Sequence, residues 1–176
     1  MKSSIFRWEI IGTILIILVG SALHFAFAWS GGWRPLAVIA AVNESTWEHL
    51  KLGFWPALVF ALIEFPFIRK SAKNFWFAKG VGIFLIPITI IALFYGYTAV
   101  IKDNLLADIL VFVIAVILGE FVGYRILTAK RDLPGWTVLF GVVLLLGMIA
   151  AFATLTYYPP HIFLFLDPVS GTYGIP

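Results

Sequence analysis

The chain has 176 residues, of which 62% are hydrophobic and only 12% are charged, and its mean hydropathy is +1.03. This composition excludes a water-soluble globular domain and indicates a membrane protein. The formal net charge of +3 gives no case for nucleic-acid binding. Because the chain has no cysteine, disulfides, thiol catalysis and thiolate metal ligands are excluded as well.

Five apolar stretches are long enough to cross a bilayer, which takes about 20 helical residues. They cover approximately 8–29, 45–68, 75–101, 105–127 and 136–157. We therefore predict an all-α polytopic protein, a bundle of five transmembrane helices that forms a single domain over residues 1–176. The segment from Pro35 to Val42 is apolar but too short to span, and we expect an interfacial or re-entrant piece before the second helix. Glycines inside the spans, including Gly119 and Gly123 at small-x-x-x-small spacing, predict close helix packing.

The basic residues indicate the orientation, because lysine and arginine near helix ends are retained in the cytoplasm. One side carries three of them, Arg34, Lys51 and Lys102. The other side carries nine, namely Lys2, Arg7, Arg69, Lys70, Lys73, Lys79, Arg125, Lys130 and Arg131. We expect a cytoplasmic N-terminus and an extracytoplasmic C-terminal tail.

All three histidines fall on the predicted outer side. His24 lies near the end of the first span and His49 near the start of the second, both roughly 7 Å below the membrane rim at 1.5 Å per residue. His161 follows the last span, after Pro159 and Pro160. We predict that the three imidazoles share one polar site.

The start of the second helix adds further functional groups. Glu44, Ser45, Glu48, His49 and Lys51 fall within one wedge of the helix, which is too polar to face lipid. A structural alternative is a capping box between Ser45 and Glu48. In that alternative Lys51 is a counter-ion and Trp47 an interfacial anchor.

These residues suit a metal site. We predict that His24, His49 and His161 bind a divalent metal, with zinc the best match, and that Glu48 acts as general base on a bound water. The candidate substrate-binding or supporting residues are Glu44, Ser45, Lys51, Asp108, Asp167 and Trp47. The C-terminal tail is either a lid over this site, with His161 and Asp167 pointing inward, or an interfacial anchor.

Three carboxylates are expected near the cytoplasmic ends of their helices. They are Glu9, Glu64 and Glu120, with Arg7, Arg69, Lys79 and Arg125 nearby. Ion pairing is the simpler interpretation, and a proton or ion relay is the alternative.

Three parts of the sequence resemble a family of small uncharacterised bacterial integral membrane proteins. They are the stretch from Asn43 to Lys51, which forms an Asn-Glu-Ser-x-Trp-Glu-His-x-Lys motif, the tripeptide Leu23-His24-Phe25, and the segment from Asp167 to Gly174. The resemblance implies a prokaryotic cell membrane and no established activity, substrate or cofactor.

Our leading functional hypothesis is a membrane protein with an outward-facing His/Glu metal site that hydrolyses a lipid-like or small amphiphilic substrate. The first alternative is a non-enzymatic module that binds or transports a small ligand between Lys51, the carboxylates and a rim formed by Trp29, Trp33 and Trp47. The second is haem ligation by His24 and His49. Membrane lipids are the expected partners, and the sequence does not indicate an oligomeric state.

Overall fold

The computed structural model describes residues 2–176, except the side chain of Lys2, one of the nine basic residues that set the predicted orientation. It has five α-helices: α1 (Lys2–Trp29), α2 (Thr46–Ile68), α3 (Phe75–Thr98), α4 (Leu105–Leu127) and α5 (Trp136–Leu155). All five are long and apolar enough to cross a membrane, which confirms the predicted architecture. The predicted boundaries agree to within one helical turn, except that α1 already begins at Lys2.

The connections divide the bundle into two ends, because consecutive spanning helices alternate in direction. We call one the histidine end, which contains residues 30–45, 99–104 and 156–176, and the other the opposite end, which contains residues 69–74 and 128–135. The predicted short segment before α2 is a 3₁₀ helix, Arg34–Val38. In the tail, a second 3₁₀ helix (Phe163–Phe165) precedes a single bridge between Leu166 and Tyr173.

Helix α3 packs against α2, α4 and α5, while α1 packs against α2 and α4. Glycines permit the closest of these approaches. A Cβ added at Gly80 would lie 2.5 Å from the Cα of Gly141, and one at Gly82 would lie 2.7 Å from the carbonyl oxygen of Gly119. A side chain at these positions would push the backbones apart, which confirms the close packing expected from the glycine pattern.

Charged and apolar side chains are distributed in the reverse of a soluble protein. Large apolar side chains such as Leu18, Phe67 and Leu139 are exposed on the outside of the bundle, where lipid would cover them. The interior instead contains buried charged residues, namely Glu9, Glu48, Lys51, Glu64, Lys79 and Glu120. Ionisable groups at membrane depth are costly unless they are paired, and these six fall into two separate clusters.

Candidate metal site at the histidine end

A buried ion pair holds the 3₁₀ helix Arg34–Val38 against α2. Lys51 is completely buried, and its Nζ lies 2.5 Å from Oε2 of Glu48. The same ammonium donates to the carbonyl of Ala37 at 2.6 Å and to the hydroxyl of Thr156 at 3.1 Å. All three ammonium protons therefore have an acceptor, and the contacts join α2 to the 3₁₀ helix and to the end of α5.

The Glu48 carboxylate is engaged through both oxygens. Oε2 also accepts the backbone N–H of Val42 at 3.1 Å, and Oε1 accepts the hydroxyl of Thr156 at 3.2 Å. Ser45 is the N-cap residue of α2, but its side chain makes no capping hydrogen bond. The capping-box alternative is therefore wrong: Glu48 reaches past its own helix to the preceding loop, because Lys51 holds the carboxylate inside the bundle.

Lys51 has no exposed surface with which to contact a solute. The alternative in which Lys51 captures a ligand at the outer mouth therefore needs correction. Trp47 is also buried, packed against Phe152 and Phe165 with ring centroids 4.9 and 4.7 Å away. It is a core residue rather than an interfacial anchor, whereas Trp29 and Trp33 are exposed as the rim hypothesis expected.

Asn43 fixes the backbone that presents Glu44. Its Oδ1 accepts the N–H of Ser45 at 2.9 Å, a local turn typical of asparagine. Its Nδ2 donates to the carbonyl of Gly174 at 2.7 Å, which attaches the C-terminal tail to this turn. Glu44 lies between the two anchored residues and remains partly exposed, with 47% of its side-chain surface accessible.

His24, Glu44 and His49 converge at the histidine end. Nε2 of His24 lies 3.2 Å from Nε2 of His49. Oε2 of Glu44 lies 3.6 Å from the first of these nitrogens and 3.4 Å from the second. Ligands at about 2.0–2.2 Å from a tetrahedral zinc ion lie about 3.3–3.6 Å from each other. The three atoms therefore form a triangle of the size that one face of a zinc site requires.

The His49 ring is oriented by the backbone. Its Nδ1 lies 2.8 Å from the carbonyl oxygen of Ser45, an acceptor that favours a proton on Nδ1. The lone pair of Nε2 then points to His24 and Glu44. An imidazole held in this way by a carbonyl is the usual outer arrangement of a metal-binding histidine.

Glu44 is ionised under neutral conditions. When His49 is protonated on both ring nitrogens and no ion is bound, its hydrogen bond to Glu44 lowers the pKa of the Glu44 carboxyl below the ordinary value of 4.5. A positive charge on either imidazole acts in the same direction. A shallow cleft of about 180 Å³, lined by Phe25, Phe27 and residues 41–44, opens beside the cluster. A ligand in the cleft would have direct access to the triangle.

The structure does not bring the three histidines together in one site. The ring of His161 is exposed and stacks on Tyr173, with centroids 4.4 Å apart. Within residues 2–176, the group whose ligand atoms lie within 4.8 Å of each other contains Glu44 and not His161. Sequence reasoning placed Glu44 only among supporting residues, although its position one residue before the N-cap of α2 was the available signal.

The other predicted site residues make separate contacts. The hydroxyl of Tyr97 shares its single proton between the carboxylates of Asp108 and Asp103. Asp167 accepts the hydroxyl of Ser170 at 2.6 Å and the N–H of Val169 at 3.0 Å, and so closes its own turn in the tail. Ser45 contributes its backbone carbonyl to His49.

The haem alternative does not fit the two imidazoles. Axial ligands lie on opposite faces of the porphyrin, with the macrocycle between them. The Nε2 atoms of His24 and His49 are in hydrogen-bond contact at 3.2 Å, and their rings are inclined at 65°. This arrangement leaves no space for a porphyrin, whereas a single small ion suits it.

Comparison with known proteins identifies the family of the chain. No curated protein and no solved structure matches the chain. A family of unknown function, DUF6512, matches residues 1–175, nearly the whole length. The chain therefore belongs to the DUF6512 family.

Proposed function

We propose that this membrane protein binds a divalent transition-metal ion, Zn²⁺ best, through His24, Glu44 and His49. The triangle of 3.2, 3.4 and 3.6 Å between the three ligand atoms is the observation that carries the proposal. Imidazole nitrogen and carboxylate oxygen are ordinary zinc ligands, and three protein ligands leave one position of a tetrahedral ion open. The adjacent cleft supplies room for water or a small ligand at that position.

The supporting structure also suits a preformed metal site. His49 is oriented by the Ser45 carbonyl, and Glu44 is positioned by the turn at Asn43. The buried pair of Glu48 and Lys51 holds the loop that carries Glu44. A site preorganised in this way loses little conformational freedom when the ion binds.

Hydrolysis of an amphiphilic substrate stays a prediction. A general base must offer a free lone pair within hydrogen-bond reach of the water that it activates. Glu48 is buried, and its carboxylate is held by Lys51, Val42 and Thr156. It lies outside the group of ligand atoms at the histidine end, so we propose metal binding and no catalytic step. The extracytoplasmic position of the site and the bacterial inner membrane likewise stay predictions from the charge pattern and the resemblance.

Metal analysis of the purified protein tests the proposal. We expect one zinc ion per chain after reconstitution, and competition with a chromophoric chelator gives its affinity. His49→Ala should weaken binding at least about 100-fold, because loss of even an outer hydrogen-bond partner usually costs 10- to 100-fold. Cobalt substitution should give the visible absorption of a tetrahedral ion, and His24→Ala should abolish that spectrum.

His161→Ala is the matched control, since it removes an imidazole from the same end of the bundle. It should bind zinc like the wild type. Equal loss in the His161 and His49 variants, or a wild-type protein that takes up no metal, would reject the site. In that case the two imidazoles form only a hydrogen bond, in which His24 donates from Nε2 to His49.

A further inference from the structure

The second buried cluster surrounds Lys79. Its Nζ lies 2.8 Å from Oε1 of Glu9 and 3.7 Å from Oε2 of Glu120, and it is also in direct contact with the carboxylate of Glu64. The four residues come from α3, α1, α4 and α2, and each is at least nine-tenths buried. Lys79 lies four residues into α3, about 6 Å from the opposite end of the bundle at 1.5 Å per residue.

The charges in this cluster do not balance. Three carboxylates share one ammonium, so full ionisation would leave two uncompensated negative charges inside the bundle. A buried charge without a partner costs several kcal/mol, and such groups usually become neutral instead. Among the described side chains, those of residues 3–176, Lys79 is the only cation that forms an ion pair with any of the three carboxylates.

Oxygen atoms without a hydrogen-bond partner are independent support for the conclusion that the three carboxylates are not all ionised. Oε2 of Glu9 and Oε2 of Glu120 are both shielded from solvent, and neither has a hydrogen-bond partner in the described part of the chain. Native structures rarely leave such atoms unsatisfied. The distance of 3.7 Å from Glu120 to Lys79 is too long for a hydrogen bond.

A proton fits this cluster better than a metal ion does. The Lys79 ammonium already occupies the position between the carboxylates. The three carboxylates also fail to bring ligand atoms within 4.8 Å of one another, a condition that the described residues meet only at His24, Glu44 and His49. A proton binds one or two oxygen atoms and needs no coordination sphere, so it can neutralise a carboxylate where the cluster has no space for a metal.

We propose that Glu9, Glu64 and Glu120 form an intramembrane proton-binding site that retains two exchangeable protons at neutral pH, with Lys79 as its fixed positive charge. Two protons leave one carboxylate ionised to pair with Lys79, and the cluster is then neutral. This site is independent of the metal site at the histidine end. Its proton content is set by charge balance across the cluster rather than by any one glutamate.

Infrared spectroscopy of the protein in lipid vesicles tests the proposal on the wild-type chain itself. Protonated carboxyl groups have a carbonyl band that is resolved from carboxylate bands and shifts in deuterated water. We expect this band at neutral pH, with an intensity of two groups per chain, and its loss in strong alkali. Absence of the band from the folded wild type would overturn the proposal.

Variants then test whether charge balance sets the proton count. Glu9→Gln, Glu64→Gln and Glu120→Gln should each reduce the band by about half, because one proton then suffices for neutrality. Lys79→Met should instead increase it by about half for the same reason. Asp132→Asn, which removes an exposed carboxylate paired with Lys73, is the control and should leave the band unchanged.

Two outcomes would contradict the assignment. If all three glutamine variants keep the full band, the protonated groups lie elsewhere in the chain. If the band appears in the wild type only after sodium and potassium are removed, a monovalent cation rather than protons neutralises the cluster.

Discussion

The two buried lysines of this bundle have the same number of partners but different kinds. Lys51 donates to one carboxylate, one carbonyl and one hydroxyl, from Glu48, Ala37 and Thr156. Lys79 faces three carboxylates instead. Each proton of the Lys51 ammonium has an acceptor, and that cluster is electrically neutral. At Lys79 the Glu120 oxygen lies 3.7 Å away, too far for a hydrogen bond, and the cluster carries surplus negative charge.

The two clusters differ both in hydrogen-bond satisfaction and in charge balance. At Lys51 both conditions are met, so the cluster needs no further ligand and its contacts hold a loop in place. At Lys79 the surplus negative charge has to be neutralised by something that exchanges with solvent. A buried cluster whose charges balance therefore indicates a structural role, whereas a buried cluster with surplus charge indicates a site that binds a proton or an ion.

The largest effect is expected where the balanced pair is broken. Lys51→Met leaves the Glu48 carboxylate buried without a cation, and it also removes a donor from Ala37 and Thr156. Removing one partner of a buried ion pair costs about 3–5 kcal/mol of unfolding free energy. Chemical unfolding in detergent, followed by tryptophan fluorescence, measures this loss.

The control for this variant is Lys73→Met, which breaks the exposed pair with Asp132. Exposed pairs contribute little, so its unfolding free energy should change by no more than about 1 kcal/mol. Similar losses in the two lysine variants would show that the buried pair does not hold the loop. The zinc affinity of Lys51→Met should also fall, because the loop carries Glu44.

The same substitution at the two clusters gives a sharper contrast. Glu48→Gln removes the only carboxylate of its cluster and should cost about 3 kcal/mol. Glu120→Gln removes a surplus carboxylate and leaves Lys79 paired with Glu9 and Glu64, so its stability should change by less than about 1 kcal/mol. A loss of stability in Glu120→Gln as large as that in Glu48→Gln would mean that Glu9, Glu64 and Glu120 are all required as anions.

The fold was largely predictable because the bilayer imposes a length and a composition on every span. All five helices follow from apolar runs of about 20 residues, and the short segment at Arg34–Val38 follows from a run that is too brief. The early start of α1 was missed because Lys2 and Arg7 interrupt the apolar pattern before residue 8. Glu9 is inside the bundle, where Lys79 compensates its charge.

The candidate site was predictable only in part. Counting residues from the helix ends predicts that His24 and His49 lie at the same depth, and the structure places their rings in contact. Depth does not specify which carboxylate faces them. Glu48 lies on the same helix as His49, but Lys51 and the N–H of Val42 attract it, and these depend on how the preceding loop folds back. Glu44 takes the position beside the histidines because of that loop.

Asp167 differs from the carboxylates of both lysine clusters. It is nearly buried, and the groups that donate hydrogen bonds to it are neutral. Burial, the strongest influence, acts to raise the pKa of Asp167, but hydrogen bonds from Ser170 and the N–H of Val169 together lower it below the ordinary value of 3.8. A lowered pKa in the folded state stabilises the protein above pH 3.8, and this stabilisation is lost as the pH falls through the folded-state pKa.

Asp167→Asn should therefore lower the unfolding free energy at neutral pH by about 1 kcal/mol, the usual contribution of a hydrogen bond. As the pH falls from 3.8 through the lower folded-state pKa, the difference from the wild type should shrink, because the wild-type carboxyl becomes protonated in the folded state as well. Thermal unfolding at a series of pH values measures this, with Asp132→Asn as an exposed control that should show little difference at any pH. A difference that stays constant from neutral to acid conditions would mean that the turn needs the shape of residue 167 and not its charge, and that charge matters only in the two lysine clusters.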